Sequence, residues 1–355
     1  MKKVIYLILA LSMLFPFCGC NHQKENAVKI GAIIPETGNL AGLGNTIRSG
    51  LTLAVQELNE KSPNVHYELY FEDTSSEQRN VISAYYKLKQ KGVKCFVSTT
   101  SAACKALKSK IIDDSNLIFC ICSLPELTAD GAWNIFKLGN SSLEESEAIT
   151  NFLFSNSIDS ISLFYPNSEY GNSFMNAFYD SGVNIRTSIA YDENGTDFNS
   201  IVAKGIDKKT QYVATIGYSS SLGQVINTIR KIRPDISIIS NLGFTNSDVF
   251  NIVGKDNLDI TYIDYSIPES EATKQKEKYM HNNFNTSFSS TCYLAYMIPH
   301  FIDWGIHQND ISAQELPELS KALRSICTIT IDDSYTFSVY SNGDITPNLI
   351  LKKYE

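Results

Sequence analysis

Short apolar runs alternate with amphipathic stretches along most of the chain. Val28 to Ile34 is apolar, rich in β-branched residues and too short for a helix, so it reads as a strand. In Asn45 to Glu60, Ile47, Leu51, Ala54, Val55 and Leu58 recur at helical spacing and close on one face. The alternation repeats as strand Tyr67 to Phe71, helix Glu77 to Lys91, strand Cys95 to Val97, helix Ala102 to Asp113 and strand Leu117 to Ile121. It resumes as strand Ile161 to Tyr165, helix Gly171 to Ser181, strand Tyr212 to Ile216, helix Leu222 to Ile232 and strand Ile236 to Ser240. Apolar strands alternating with helices predict an α/β fold with parallel sheets covered on both faces.

A single hydrophobic core stops growing beyond about 250–300 residues. The chain has 355, which predicts two lobes. The polar stretch Phe136 to Glu147 lies between the two series and is the expected first crossing. The tail, Tyr335 to Tyr354, reads as two β runs around Ser341-Asn342-Gly343-Asp344, a hairpin signal. Two such lobes place a crevice outside the C-terminal ends of their strands.

The residues just after each strand are therefore the informative ones. Pro35 to Gly44 holds three glycines before a helix, but no Gly-Lys-Ser/Thr of a phosphate loop. A dinucleotide fingerprint needs a glycine where Ile47 stands. The glycines are read instead as a turn that lets the chain lie close to the crevice. Thr100 and Ser101 follow the third strand, where hydroxyls cap the next helix or, with its free N–H groups, hold an anion. Cys122 and Ser123 follow the fourth strand. Tyr170 and Tyr218 stand at equivalent strand ends of the second series, placed to stack on or cap a ligand.

The N-terminus sets the compartment. Met1-Lys2-Lys3 precedes an apolar run from Val4 to Phe17, the pattern of an export signal. That run is short of the ~20 residues of a membrane span. Phe17-Cys18-Gly19-Cys20 resembles a bacterial lipobox, with Cys20 favoured for acylation because small Gly19 precedes it. An ordinary secretory signal with two incidental cysteines is the alternative. Residues 1–19 are then the signal and 20–26 a polar tether. Cleavage removes the charges of Lys2 and Lys3 and takes the net charge from −8 to −10. An acidic chain without basic blocks excludes nucleic acid as the expected partner.

Nothing in the sequence points to catalysis. His300 and His307 share nearly one helix face, but no acidic pair follows at metal-ligand spacing, and no metal or cofactor is expected. Export permits disulfides among the six cysteines beyond Cys20, yet a chain this long does not need them. Cys95, Cys120 and Cys122 lie in apolar runs and are expected to pack as small hydrophobes.

A family resemblance rests on these residues. Lys29 to Gly38, Ala41 to Gly44, the helix ending Ala54-Val-Gln-Glu-Leu-Asn59, Glu72-Asp73, Pro125 to Thr128, Glu169-Tyr-Gly171, Asp197-Phe198 and Gly217-Tyr218 occur in order. Together they resemble branched-chain amino-acid-binding proteins, the type 1 periplasmic binding proteins that serve ABC importers. The resemblance implies two Rossmann-like lobes joined by a three-stranded hinge. Lobe one would be 27–143 plus 268–335, and lobe two 144–267 plus the C-terminal strands, 336–355. It implies a ligand α-carboxylate on Thr100, Ser101 and Ser123 with backbone near Cys122, and pocket tyrosines at Tyr170 and Tyr218. It implies a lipid-anchored envelope protein that delivers an amino acid or related carboxylate or amide to permease subunits; a ligand-sensing receptor is the alternative. Two positions depart from the family. Leu43 stands where an aromatic is frequent, and Leu242 where an acid takes the ligand ammonium. Either another acid takes that role, or the ligand lacks an α-ammonium.

Overall fold

The computed structural model describes residues 27–61, 65–254, 259–309, 311–312, 315–331 and 335–354. The signal, the tether and Cys20 lie outside the described residues. The first lobe opens with β1 (Ala27–Ile34), α1 (Ala41–Lys61), β2 (His66–Asp73), α2 (Val81–Gln90), β3 (Cys95–Thr99), α3 (Ser101–Asp113), β4 (Leu117–Ile121) and β5 (Ile135–Leu138). The chain then crosses at residues 139–141 into α4 (Ser142–Ser155), β6 (Ser160–Pro166), α5 (Glu169–Asp180), β7 (Asn184–Tyr191) and α6 (Asn199–Gly205). The second lobe continues with β8 (Tyr212–Thr215), α7 (Ser220–Ile232), β9 (Ser237–Ser240), α8 (Ser247–Val253) and β10 (Ile260–Tyr265). A second crossing, 266–270, leads back to α9 (Glu271–Phe284), α10 (Ser290–Asn309), α11 (Leu316–Arg324), β11 (Thr328–Ile331), β12 (Tyr335–Val339) and β13 (Asp344–Thr346). Residues 347–348 make the third crossing, into β14 (Leu349–Tyr354).

Alternating side chains bury both faces of each sheet, as fully covered parallel strands require. On β4, Leu117, Phe119 and Ile121 join the core under α1 and α10. Ile118 and Cys120 of the same strand join the core under α2 and α3. Ile238 and Ile239 divide in the same way between the two cores of the second lobe. Each such fully buried side chain contributes about 1.5–3 kcal/mol, so a charge at Phe119 would remove the first core's centre.

The sheet orders are β11-β12-β13-β5-β4-β3-β1-β2 and β14-β10-β9-β8-β6-β7. Within each, the first strand lies inside rather than at an edge, so strand order reverses between β1 and β3 and again between β6 and β8. Crevices form at such switch points, beyond the carboxyl ends of the strands.

The tail departs from expectation. Ser341 to Asp344 does make the hairpin turn, with Gly343 at φ +100°, but β12 and β13 belong to the first sheet and only β14 to the second. The placement of 336–355 on lobe two is therefore corrected. β13 runs parallel to β5, with Asp344 opposite Lys137. Lys137 is fully buried and pairs with Asp344 at 3.4 Å, and Thr128 donates to the same carboxylate at 2.5 Å. Burying that lysine leaves it no solvent, so the strand carrying its counter-charge is held beside β5. Phe136, assigned by its polar neighbours to the crossing, is instead a buried β5 residue stacked on Phe119 at 5.1 Å.

Candidate functional site

Each lobe brings its switch-point loop close to its sheet by a helix glycine. A Cβ on Gly44 would lie 1.9 Å from the carbonyl oxygen of Pro35, and one on Gly171 would lie 1.8 Å from that of Pro166. Only a residue without a side chain lets α1 and α5 start this near the strand ends. Of the three glycines expected to form a turn, Gly38 alone takes a left-handed conformation, at φ +88°, while Gly42 and Gly44 lie within α1. Asp73 then pins the loop after β1, accepting the N–H groups of Glu36 at 2.8 Å and Thr37 at 3.2 Å.

Between the lobes lies a cavity with about 570 Å³ of empty space, part of it open to solvent. Thr100, Ser101, Cys122, Ser123, Tyr170 and Tyr218 all line it. Four come from the ends of β3 and β4 in the first lobe, and the two tyrosines from the ends of β6 and β8 in the second. A second chamber of about 660 Å³ adjoins it and shares Thr100, Ser101, Tyr170 and Tyr218.

Thr100 caps α3, accepting the N–H of Ala103 at 3.3 Å, from a backbone at φ +67°, ψ +139°. A β-branched residue at positive φ is strained by about 1–3 kcal/mol, and such strain collects at ligand sites. Beside it, the Ser101 hydroxyl is buried and has no hydrogen-bond partner. Leaving such a group unpaired costs about 1–3 kcal/mol. A strained cap and an orphaned hydroxyl at a helix N-terminus together make a place for an anion.

Across the cavity, Tyr170 and Tyr218 meet edge to face, with centroids 4.7 Å apart and planes at 87°. The hydroxyl of Tyr170 accepts from Asn241, whose Oδ1 takes the N–H of Gly217 at 3.1 Å. Burial raises the pKa of both phenols well above the ordinary value, so they stay neutral. Cys122 is partly buried and packs against the α2–α3 core while lining the cavity; Cys95 and Cys120 are buried in the cores as expected. All six described cysteines are free thiols.

Sequence reasoning missed Glu145 and Asn140. Glu145 is 1% exposed, lines the cavity, and accepts the Ser123 hydroxyl at 3.2 Å and the N–H of Leu242 at 3.0 Å. Burial pushes its carboxyl up to about 7, against the pull of those two donors. The signal that marks this helix start was present: Ser141-x-x-Glu144 is a capping box, and both of its reciprocal bonds form. Glu193, beside Tyr218 in the second chamber, is likewise pushed up to about 7 by burial.

The lobes touch around this space. Lys105 of α3 pairs with Glu169 of α5. Asn39 donates to Asn194 at 2.9 Å, and Thr291 to Asn246 at 3.1 Å. Among the described residues no group of three or more His, Cys, Asp or Glu is arranged to hold a metal, and no helix is long and apolar enough to cross a membrane.

Two parallel-sheet lobes with a cleft at both switch points define a two-lobed binding protein of type 1 architecture. The sequence model described as periplasmic binding protein matches residues 27–296, and the chain belongs to that family. A Leu/Ile/Val-binding protein homolog from Brucella melitensis is 23% identical over 238 residues, which are 64% of each chain. The leucine-, isoleucine-, valine-, threonine-, and alanine-binding protein of Pseudomonas aeruginosa is 21% identical over 241 residues, 65% of each. The matches thus span just under two thirds of these curated relatives. Among solved structures, the branched-chain amino acid transporter substrate binding protein LivJ of Streptococcus pneumoniae, in complex with isoleucine, superposes with TM-score 0.82. It is 20% identical and covers 93% of this chain and 98% of its own. A solute binding protein from R. palustris in complex with benzoate has TM-score 0.82 at 16% identity, covering 93% of both chains. These likenesses show the fold, and the family is one of binding proteins rather than enzymes.

Proposed function

We propose that the protein captures a small organic acid of the amino-acid type between its lobes and delivers it to an ABC importer. The observation that carries this reading is the unpartnered, buried hydroxyl of Ser101 beside the strained cap Thr100, at the switch point of the first sheet. A ligand carboxylate there meets free helix N–H groups and gives that hydroxyl the acceptor it lacks. Isoleucine and benzoate, held by two proteins of this fold, have a carboxylate in common. Ser123 adds a second hydroxyl, and Tyr170 and Tyr218 close over the ligand from the other lobe. The ligand draws the lobes together only by its added affinity for the closed form, which the contacts Lys105–Glu169, Asn39–Asn194 and Thr291–Asn246 bridge.

The protein acts outside the cytoplasm, held at the membrane through acylated Cys20. Two or more buried chains, at about 0.8 kcal/mol per CH₂, give a stable anchor. Incorporation of labelled palmitate, abolished by Cys20→Ala, tests the anchor. A thermal-shift screen against amino acids, their amides and ammonium-free carboxylates tests the ligand. A binder at ~100 times its Kd adds roughly 2.7 kcal/mol. No shift with any carboxylate would end the proposal.

A further inference from the structure

Part of the cavity wall is aliphatic, formed by Leu43, Ile121, Leu138, Leu242 and Leu294. Within it Glu145 is a buried carboxylic acid with no cation of this chain within 4 Å among the described residues. Lys137 approaches on β5 but donates to the carbonyl of Gly139 at 3.1 Å and pairs with Asp344. Asn140, 7% exposed and lining the same cavity, holds its Oδ1 without a donor while its Nδ2 donates to Glu144 at 3.2 Å. A buried acid without a counter-cation and an amide oxygen without a donor, on two residues that line one space, call for a group with several N–H bonds and a positive charge.

Spacing says what kind of molecule carries that group. Ser101 and Ser123 follow β3 and β4, which are paired neighbours, and neighbouring strands lie ~4.8 Å apart. The anion groups after β3 and Glu145, which Ser123 contacts after β4, thus stand at neighbouring strand ends. An α-amino acid carries its ammonium and carboxylate on one carbon and so can offer one charge to each strand end, with its side chain toward the aliphatic part of the wall. We propose that Glu145, assisted by Asn140 Oδ1, holds the ligand ammonium, so that the site selects zwitterionic α-amino acids over ammonium-free carboxylates. This rests on the reading of the cavity as a carboxylate site. The acid comes from the first turn of α4, not from the loop after β9, where Leu242 offers only its backbone N–H to the same carboxylate.

The charge state of Glu145 follows from its surroundings. Glu144 of its own helix raises its pKa, Lys137 of β5 lowers it, and Tyr170 of α5 and Tyr265 of β10 are buried neutral phenols. A bound ammonium favours the carboxylate, so at neutral pH ligand binding expels a proton, and affinity falls as pH drops below about 7.

Isothermal titration of the purified chain decides it, with L-leucine and L-isoleucine against 4-methylpentanoate and 3-methylpentanoate. Wild type is expected to prefer the amino acids, and Glu145→Gln to lose roughly 100-fold or more toward them with the ammonium-free acids within threefold. Amino-acid affinity unchanged in Glu145→Gln, or equal binding of both classes by wild type, overturns the proposal while the carboxylate site stands. Binding of neither class overturns the carboxylate site itself and the proposal with it. If Glu145→Gln does not fold, wild type titrated at several pH values in buffers of differing ionisation enthalpy gives the answer. Proton release per amino acid that grows as the pH is lowered from 8 to 5 supports the proposal, and none across that range overturns it.

Discussion

Thr291 of α10 donates its hydroxyl to Asn246 Oδ1 at 3.1 Å, and the same Asn246 donates through Nδ2 to the carbonyl of Tyr218 at 2.6 Å. A first-lobe helix is thereby tied, through one amide, to the loop that carries an aromatic ring of the cavity. In the proposed closure this side chain would couple the approach of the lobes to the placing of Tyr218. Two residues away, Asp248 packs so near Gly42 of the first lobe that a Cβ there would lie 1.9 Å from Oδ2.

Gly42 is therefore a gauge of closure. Gly42→Leu should fold normally, since its clash is with Asp248 of the other lobe, but should keep the lobes apart. Ligand affinity is expected to fall at least about tenfold, since each 1.4 kcal/mol lost from the closed form is a factor of ten. Small-angle scattering at saturating ligand should give the radius of gyration of the ligand-free variant. Compaction equal to wild type would show that this contact does not gate closure.

Thr100 trades stability for its position. Thr100→Gly removes the strain of a side chain at φ +67°, about 1–3 kcal/mol. Against this stand a few tenths for the weaker cap and about 0.5–1 kcal/mol of backbone entropy. Denaturant titration should find the variant more stable by roughly 1 kcal/mol, with weaker ligand binding. A less stable variant would dismiss strain as a feature of this site.

The ligand-free protein should lose stability as pH rises from about 4.5 to 7. Glu145 has its pKa raised from 4.5 to about 7 by burial. Its contribution is full below the unfolded-state value and lost as pH climbs through the folded one. At 1.36 kcal/mol per unit, the loss is on the order of 3 kcal/mol. Glu193 acts in the same direction. Asp207 and Asp235, held down to about 2 chiefly by side-chain hydrogen bonds from Thr210 and Arg233, act oppositely and at lower pH. Glu145→Gln should flatten the 4.5–7 limb in urea titrations; an unchanged slope would mean the carboxyl is solvated.

Gly171→Ala should cost the second lobe about 1–3 kcal/mol or more, since the added carbon would sit 1.8 Å from the backbone oxygen of Pro166. The melting temperature should fall by several degrees. An undiminished melting point would show that α5 retreats freely from the strand end.

Much of this was legible because it is local. Strand–helix alternation placed the ends of β3, β4, β6 and β8, and with them Thr100, Ser101, Cys122, Ser123, Tyr170 and Tyr218, on one cavity. Glu145 was hidden in a polar stretch because its burial depends on Ser123, 22 residues away, and Leu242, 97 residues away. No periodicity reports contacts at such separations. β13 escaped for a like reason: a three-residue strand carries no pattern of its own, and its sheet is decided by Lys137 far upstream. Thr100 was picked by position, whereas its backbone strain is visible only in coordinates.

The three crossings also set a timetable for synthesis. Residues 142–265, the continuous part of the second lobe, are complete while the first lobe still lacks α9, α10, α11 and three strands of its sheet. Domains fold as units as the chain emerges. The inserted lobe can thus assemble first, while the host that precedes it in sequence waits, half built, for its last segments. After those segments β14 follows, and it returns to the lobe that was first able to form.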